Sequence, residues 1–246
     1  MASSYARFRP NYPQAMFRYL ATTVTSRERA WDCATGTGQA ALGLAAHFHH
    51  VVATDGSRLQ IVNALPHGRI DYAVTLAESN GIRSSSMDLI VVAQAIHWFD
   101  LDRFYPEVHR ILKPGGTLAV WCYGLLRIDD ETNAVVDRFY REVVGPYWPE
   151  ERKWVESAYA SLPFPFQRLK PPSFFMESRW DLSGLLGYLN TWSAVRRFRE
   201  EKKRDPVELI IHDLNRAWGS QTLFKAVRWP LHLLVGKPDE CTGSGS

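Results

Sequence analysis

From about residue 29 to 123, short apolar runs alternate with stretches of helical period. Residues 29–33 predict a first strand, and the Gly-rich turn Thr35-Gly-Thr-Gly38 follows it. Residues 39–48 are rich in Ala and Leu and predict a helix. Residues 50–54 are a β-branched run that ends at Asp55, and Ser57 is placed to cap a helix through Ala64. Residues 72–76 predict a third strand. Residues 87–93 predict a fourth, apolar on both faces as a central parallel strand must be. An amphipathic helix over 101–112 stops at Lys113-Pro-Gly-Gly116, and residues 117–123 predict a fifth strand. Strict alternation of strand and helix argues for a parallel sheet covered on both faces.

After residue 124 the texture changes. Helices are predicted over 129–144, 150–160, 181–202 and 206–218, with a Pro-rich surface loop over 162–172. Residues 223–236 predict a terminal strand interrupted near Pro230. Of the 9 tryptophans, Trp121 stands at the border and Trp148, Trp154, Trp180, Trp192, Trp218 and Trp229 follow it. This enrichment is either core or the aromatic wall of a ligand pocket, since such pockets are mainly apolar and aromatic. The expected organisation is an amino-terminal lid segment and helix over 1–28, a ligand-binding core over 29–123 and a helical substrate-side insertion over 124–222. Terminal strands over 223–238 complete the sheet, and residues 242–246 read as an appended tail.

Composition narrows the class. Hydrophobic residues make up 46% and charged residues 22% of the 246, as in ordinary globular domains. No apolar run is long enough for a membrane span, so no membrane partner is expected. Lys plus Arg is 29 and Asp plus Glu is 26, a net +3 without a clustered basic face, so no nucleic-acid partner is expected either. A monomer or homodimer is the expected state. Cys33, Cys122 and Cys241 are too scattered for a disulfide or zinc framework, which points to a reducing, cytoplasmic location. His47, His49 and His50 cluster at a helix end without acidic neighbours in sequence, and no metal is expected. The amino terminus has no acid before Glu28 but carries Arg7, Arg9, Arg18 and Arg27, a pattern shared with organellar transit peptides.

The chemistry sits on the first strand–helix turn, Trp31-Asp-Cys-Ala-Thr-Gly-Thr-Gly-Gln-Ala-Ala41. Gly36 and Gly38 let the backbone turn tightly and approach a ligand. The following helix presents unpaired N–H groups. Asp55, at the end of the next strand, can accept two ribose hydroxyls. Nicotinamide dinucleotides and S-adenosylmethionine (SAM) both use this geometry, and Gly36-x-Gly38-x-x-Ala41 also satisfies the dinucleotide pattern. Three features favour SAM. Asp32 can meet the ammonium of a methionine moiety but would repel a pyrophosphate. No Tyr-x-x-x-Lys pair of a common dehydrogenase type occurs. Leu76-Ala-Glu78, Gln94-Ala-Ile-His-Trp-Phe99 and Lys113-Pro-Gly-Gly116 fall where SAM enzymes carry landmarks.

With these motifs, and with Tyr5-Ala-Arg-Phe-Arg-Pro-Asn-Tyr-Pro13 and His97-Trp-Phe-Asp100, the chain resembles the class I SAM-dependent methyltransferases. The likeness is to the small-molecule group that includes trans-aconitate and ubiquinone/menaquinone-pathway methyltransferases. It covers roughly residues 5–123 and reaches weakly to Tyr188-Leu-Asn-Thr-Trp-Ser193. It implies a Rossmann-like α/β fold with a mostly parallel seven-stranded sheet and helices on both faces. SAM is the implied cofactor, S-adenosylhomocysteine the product. The segment from Asp32 through Ala34, Gly36, Thr37 and Gly38 to Gln39 would surround the methionine part. Asp55 would hold the ribose, with Gly56 and Gln60 beside the adenosine, and Ala77 and Glu78 at the adenine edge. Gln94 and Ala95 would lie near the sulfonium, and His97 and Trp98 would face the transferred methyl. Tyr5, Arg9 and Tyr12 would close over the cofactor, while Trp192 and Arg196 would contribute to the acceptor side. The family usually has Gly where this chain has Ala34.

The expected activity is methyl transfer to a small-molecule acceptor, foremost O-methylation of a carboxylate. The alternatives are an NAD-dependent oxidoreductase on the same turn and a non-catalytic SAM-binding protein. The Asp/Asn-Pro-Pro-Tyr signature of many adenine and glutamine N-methyltransferases is absent, and Gln94-Ala-Ile-His97 stands in its place.

Overall fold

The computed structural model describes residues 10–239. Tyr5, Arg9, most of the amino-terminal motif and residues 242–246 lie outside the described residues. The chain divides into two compact units. Of the described residues, the first comprises Tyr12–Tyr123, Trp154–Phe174 and residues 231–239; the second comprises residues 10–11, Gly124–Lys153 and Phe175–Pro230.

The first unit opens with α1 (Gln14–Thr22) and then alternates β1 (Arg29–Cys33), α2 (Gln39–Ala45), β2 (His50–Asp55), α3 (Arg58–Val62), β3 (Ile70–Val74) and β4 (Met87–Ala93). It continues with α4 (Leu101–Ile111) and β5 (Leu112–Tyr123). Later elements are α5 (Asp130–Arg138), α6 (Arg152–Glu156), β6 (Gln167–Leu169), β7 (Phe174–Trp180), α7 (Leu182–Asn190), α8 (Ser193–Lys202), α9 (Ile211–Trp218) and β8 (Lys225–Lys237). Strand order is β3-β2-β1-β4-β5-β8-β6, with β7 pairing to β8. The first five strands pair in parallel, and β8 runs antiparallel to β5. β4 is buried along nearly its whole length, as its apolar run requires. The core beneath it gathers Trp31, Ile90, Val92, Phe104, Val108 and Val120. The Trp31 indole, too polar to bury unpaired, donates to the Thr54 hydroxyl at 2.9 Å.

The order reverses between β1 and β4, and in open parallel sheets ligands bind at that point, outside the carboxyl ends of the strands. Cys33, Asp55 and Gln94 all mark those ends.

Several boundaries differ from expectation for physical reasons. The sheet has eight strands, because residues 167–169 join its edge. The Pro-rich stretch is therefore more than a surface loop, and it also buries Phe164 and Phe166 in the core of the first unit. β8 is continuous through Pro230, whose carbonyl still accepts the Gly124 N–H at 3.2 Å. β7 falls between the expected loop over 162–172 and helix over 181–202, where no element is predicted; its burial alternates at the start, the period of a strand covered on one face. The helix expected over 181–202 breaks at Thr191 and Trp192. His50 gains an acidic partner from the third strand, with Nε2 3.0 Å from Asp71. Among the described residues no helix is long and apolar enough to cross a membrane.

The second unit is held largely by aromatic packing and a partly exposed charge clip. Asp129 caps α5 by accepting the Thr132 N–H at 2.9 Å and receives the Lys225 ammonium at 2.7 Å. Lys225 also lies 5.0 Å from the Trp218 ring centre. Trp229 and Trp180 meet edge to face at 5.0 Å, and Trp229 donates to the Tyr188 hydroxyl at 3.1 Å.

Helices α1 and α2 approach closely because Gly43 has no side chain. A Cβ there would fall 2.1 Å from Phe17 Cε2, and Phe17 is itself buried. Ala normally favours a helix over Gly by about 1 kcal/mol. Overpacking against a ring that cannot retreat outweighs that. Gly43→Ala is expected to lower unfolding free energy by about 1–3 kcal/mol in urea titrations. The loss should shrink by at least half in a Phe17→Leu background; an equal loss there would refute the packing explanation.

Candidate functional site

The turn after β1 is wound by its own polar groups. Ala34, Gly36 and Gly38 adopt φ of 56°, 59° and 90°. Glycine accepts this region freely, whereas Ala34 carries a strain of about 1–2 kcal/mol. The Thr35 N–H donates to the Thr54 carbonyl at 2.8 Å, and the Gly38 N–H to the Thr35 carbonyl at 3.0 Å. At Gly36 an added Cβ would meet no atom within 4 Å, so space over the turn is open. At Gly38 an added Cβ would strike the Tyr72 ring and hydroxyl. Thr37 is exposed and Gln39 half-buried at the helix start.

Asp55 ties this turn to the next strand. Its Oδ2 accepts the Gly36 N–H at 2.9 Å and its Oδ1 accepts the Ser57 N–H at 2.8 Å. Each oxygen retains acceptor capacity, since a carboxylate oxygen takes more than one donor. Gly56 and Gln60 are exposed beyond it.

Asp32 is fully buried under the turn's residues and accepts the Thr35 hydroxyl at 2.5 Å on Oδ2. Its Oδ1 has no hydrogen-bond partner among the described residues; the Ala41 amide favours the ionised form without closing a bond of good geometry. Burial pushes the carboxyl up to about 7, against the opposing Thr35 and Ala41 contributions, and the Asp55 charge adds to the rise. A carboxylate so enclosed acts through the turn it orders rather than as an open counter-ion.

The loop after β3 contributes Ala77, buried, and Glu78, whose Oε1 accepts the Asp100 N–H at 3.0 Å. Glu78 thus joins this loop to the segment after β4. At the end of β4, Gln94 holds φ at 58° and donates its N–H to the Trp121 carbonyl at 2.8 Å. Ala95 is buried, and Ile96–Trp98 form a short 3-10 turn. Trp98 is 57% exposed, a large apolar surface left at the strand end.

His97 has a partner that local sequence does not reveal. Its Nδ1 lies 2.9 Å from the hydroxyl of Tyr159, a buried residue 62 positions away. Ala158 and Tyr159 both adopt left-handed φ, 54° and 59°. Neither is Gly, and such strain persists only where the surroundings impose it. No pattern around residue 159 could have found this pair, because strain and long-range contact leave no local signature.

Tyr12, Trp192 and Arg196 each have defined surroundings within their own unit. Tyr12 is buried in the first unit, edge to face with Trp121 at 5.4 Å and with Phe17 at 6.3 Å. Trp192 is buried within the second unit, 5.9 Å from Phe139 and 5.6 Å from both Tyr140 and Trp148. Arg196 is exposed on α8 and reaches Glu200 at 3.9 Å.

This geometry agrees with the comparisons. The family described as a methyltransferase domain matches residues 31–120. A Dictyostelium discoideum protein designated a methyltransferase is 31% identical over 247 residues, covering 97% of this chain and 94% of its own length. A Saccharomyces cerevisiae protein designated an S-adenosylmethionine-dependent methyltransferase is 29% identical over 131 residues, 50% of this chain and 45% of that protein. A solved structure from Anaeromyxobacter dehalogenans, described as a type II methyltransferase, superposes with a TM-score of 0.89. It is 46% identical, covering 93% of this chain and 97% of that one. A Rossmann-like sheet with a glycine turn at its switch point defines a nucleoside-binding α/β enzyme. The chain belongs to the class I SAM-dependent methyltransferases.

The raised carboxyl of Asp32 yields a stability prediction. In the unfolded chain an Asp loses its proton near pH 4. Between about pH 4 and 7 the folded chain holds a proton that the unfolded chain has released, so this group's contribution to stability falls as pH rises through that window. Asp32→Asn removes the titration. The unfolding free energy of Asp32→Asn relative to the original chain should therefore climb from pH 4.5 to 7 and level off above. A difference that stays constant across that range would show that Asp32 does not titrate there.

Proposed function

We propose that this enzyme methylates a small-molecule acid at a carboxylate oxygen, in the group that trans-aconitate and ubiquinone/menaquinone-pathway methyltransferases represent. The observation that carries the reading is the pairing of His97 with Tyr159. The Tyr159 hydroxyl is neutral and fixes the orientation of the imidazole from Nδ1. Such a histidine suits an acceptor that is already nucleophilic at neutral pH, as a carboxylate is.

The residues of the turn fit SAM. The open space at Gly36 admits a ligand against the backbone, and the Asp55 oxygens keep lone pairs for the two ribose hydroxyls. Asp32 orders the turn around the methionine end through Thr35, assisted by Ala34, Thr37, Gly38 and Gln39. Gly56, Gln60, Ala77 and Glu78 would border the adenosine, and Gln94 and Ala95 would lie near the reacting sulfur. When bound, SAM supplies a methyl on a sulfonium that departs as a neutral thioether, so no acid is needed. His97 and Trp98 orient the acceptor and keep water from its nucleophilic oxygen. Alignment alone can supply several kcal/mol, roughly 7–11 at the upper limit, by making the encounter intramolecular.

Methyl transfer from labelled SAM over a library of carboxylic acids tests the reading; transfer only to phenols, thiols or amines would overturn it. Two variants sharpen it. Asp55→Ala should weaken SAM at least tenfold in calorimetry, since each lost charge-assisted bond is worth about 1.5–3 kcal/mol. His97→Ala should slow transfer to an acid by less than about tenfold, with a rate nearly flat from pH 6 to 8. A loss near a hundredfold, with a rate rising with pH, would mark an acceptor that needs a base.

A further inference from the structure

The second unit holds a guanidinium that no acid among the described residues neutralises. Arg152, at the start of α6, donates Nε–H to the Tyr140 hydroxyl at 2.8 Å. Its guanidinium carbon lies 4.7 Å from the Trp148 ring centre and 5.6 Å from that of Tyr140. Five other arginines of the unit each have a carboxylate: Arg127 has Asp137, Arg138 has Asp213, Arg196 has Glu200, Arg199 has Asp205 and Arg228 has Glu177. Arg141, Arg179, Arg197, Arg204 and Arg216 are exposed to water. Arg152 is half-buried, yet among the described residues no carboxylate pairs with it and its two terminal nitrogens have no acceptor. Glu150 and Glu151 adjoin it in sequence and still do not reach it.

Its surroundings are rigid and aromatic. Tyr140 and Trp192 are buried, and Trp148 lies 5.0 Å from one and 5.6 Å from the other. Tyr140 sits on a π-helical turn, Phe139–Val143, a rare geometry found mostly at functional sites. A guanidinium held on a ring face and fixed through Nε presents a planar pair of donors at little entropic cost.

We propose that Arg152 is the seat for a carboxylate borne on an aromatic or unsaturated skeleton. The terminal nitrogens hold the acid group, and the ring surface of Trp148 that Arg152 leaves uncovered takes the skeleton. Arg196, exposed and paired along its own helix, is not built for that task. The inference rests on the small-acid reading above and deepens it by naming the residue that recognises the acid.

Calorimetry on the full chain at pH 7 tests it with benzoate, trans-cinnamate and octanoate, each beside its primary amide. At least one acid should bind, and its amide at least tenfold more weakly. Arg152→Met should weaken the acid at least tenfold while S-adenosylhomocysteine binds as before; Arg152→Lys should recover part of the loss. Should Arg152→Met fail to fold, Tyr140→Phe removes the hydroxyl that braces Nε and should weaken the acid several-fold. Equal binding of acids and amides, unchanged binding in Arg152→Met, or binding of none of the three acids would overturn the proposal. Acids that bind through Arg152 but receive no methyl would fell the carboxylate-methylation reading and leave the seat standing. Acids methylated equally well by the Arg152→Met variant would do the reverse.

Discussion

The bond from the Gly36 amide to the Asp55 carboxylate is the constraint on which the site depends. It spans two strand ends, so the turn after β1 cannot open without freeing the end of β2. It also forces Gly36 into a left-handed conformation that holds the amide inward. The second oxygen is fixed by Ser57, so the carboxylate cannot rotate to satisfy itself elsewhere. Its remaining lone pairs therefore point in set directions before any ligand arrives. That is preorganisation by backbone: the cost of ordering the acceptor is met in folding rather than in binding.

Beneath this bond the chain accepts a costly group. Asp32 is a carboxylate without exposure, and burial, with the nearby Asp55 charge, drives it toward its neutral form. A buried charge is tolerated where its bonds specify a geometry that apolar packing cannot. The Thr35 hydroxyl turns that charge into a brace, placing the turn's next peptide where Thr54 can accept it. Ala34 adds a second cost of the same kind. A methyl in the left-handed region is strained, yet it packs against the core of the first unit. Gln94 repeats the conformation at the end of β4. Two of the six described non-Gly residues with left-handed φ thus sit at the carboxyl ends of the two strands that flank the switch point, where function can override local preference.

What was legible in the sequence follows from the range of the forces involved. Parallel strands buried on both faces write their identity locally, so β1, β2, β4 and β5 could be read from apolar runs. The glycine turn and Asp55 were readable because turn chemistry and strand ends are local too. Tyr159 was not, since its bond to His97 spans 62 positions and depends on two strained residues that no propensity favours. β6 and β7 were missed for a related reason. Gln167–Leu169 is three residues long and becomes a strand only through pairing with β8. Phe174–Trp180 owes its extension to the same partner. Pro230 misled in the opposite sense: proline lacks a donor, but its carbonyl still pairs and the strand runs through it.

The two units solve the problem of polar groups differently. In the first, buried polar side chains face backbone or one another: Asp32 with Thr35, Trp31 with Thr54, Asp88 with Lys113 at 2.8 Å. In the second, aromatic rings carry much of the packing and their polar tips are paired off in turn. Tyr188 accepts from Trp229, Trp148 donates to the Tyr140 carbonyl at 3.4 Å, and Trp218 donates to the Leu223 carbonyl at 2.9 Å. Lys225 follows the same rule, covered by Trp218 and neutralised by Asp129. Against that background Arg152 is the exception. It has the ring cover that Lys225 has, but among the described residues it lacks the acid. A half-buried cation held on ring faces without a counter-ion keeps its terminal donors available to a ligand. That asymmetry between two cations in one unit is the physical ground for assigning Arg152 to a ligand rather than to the scaffold.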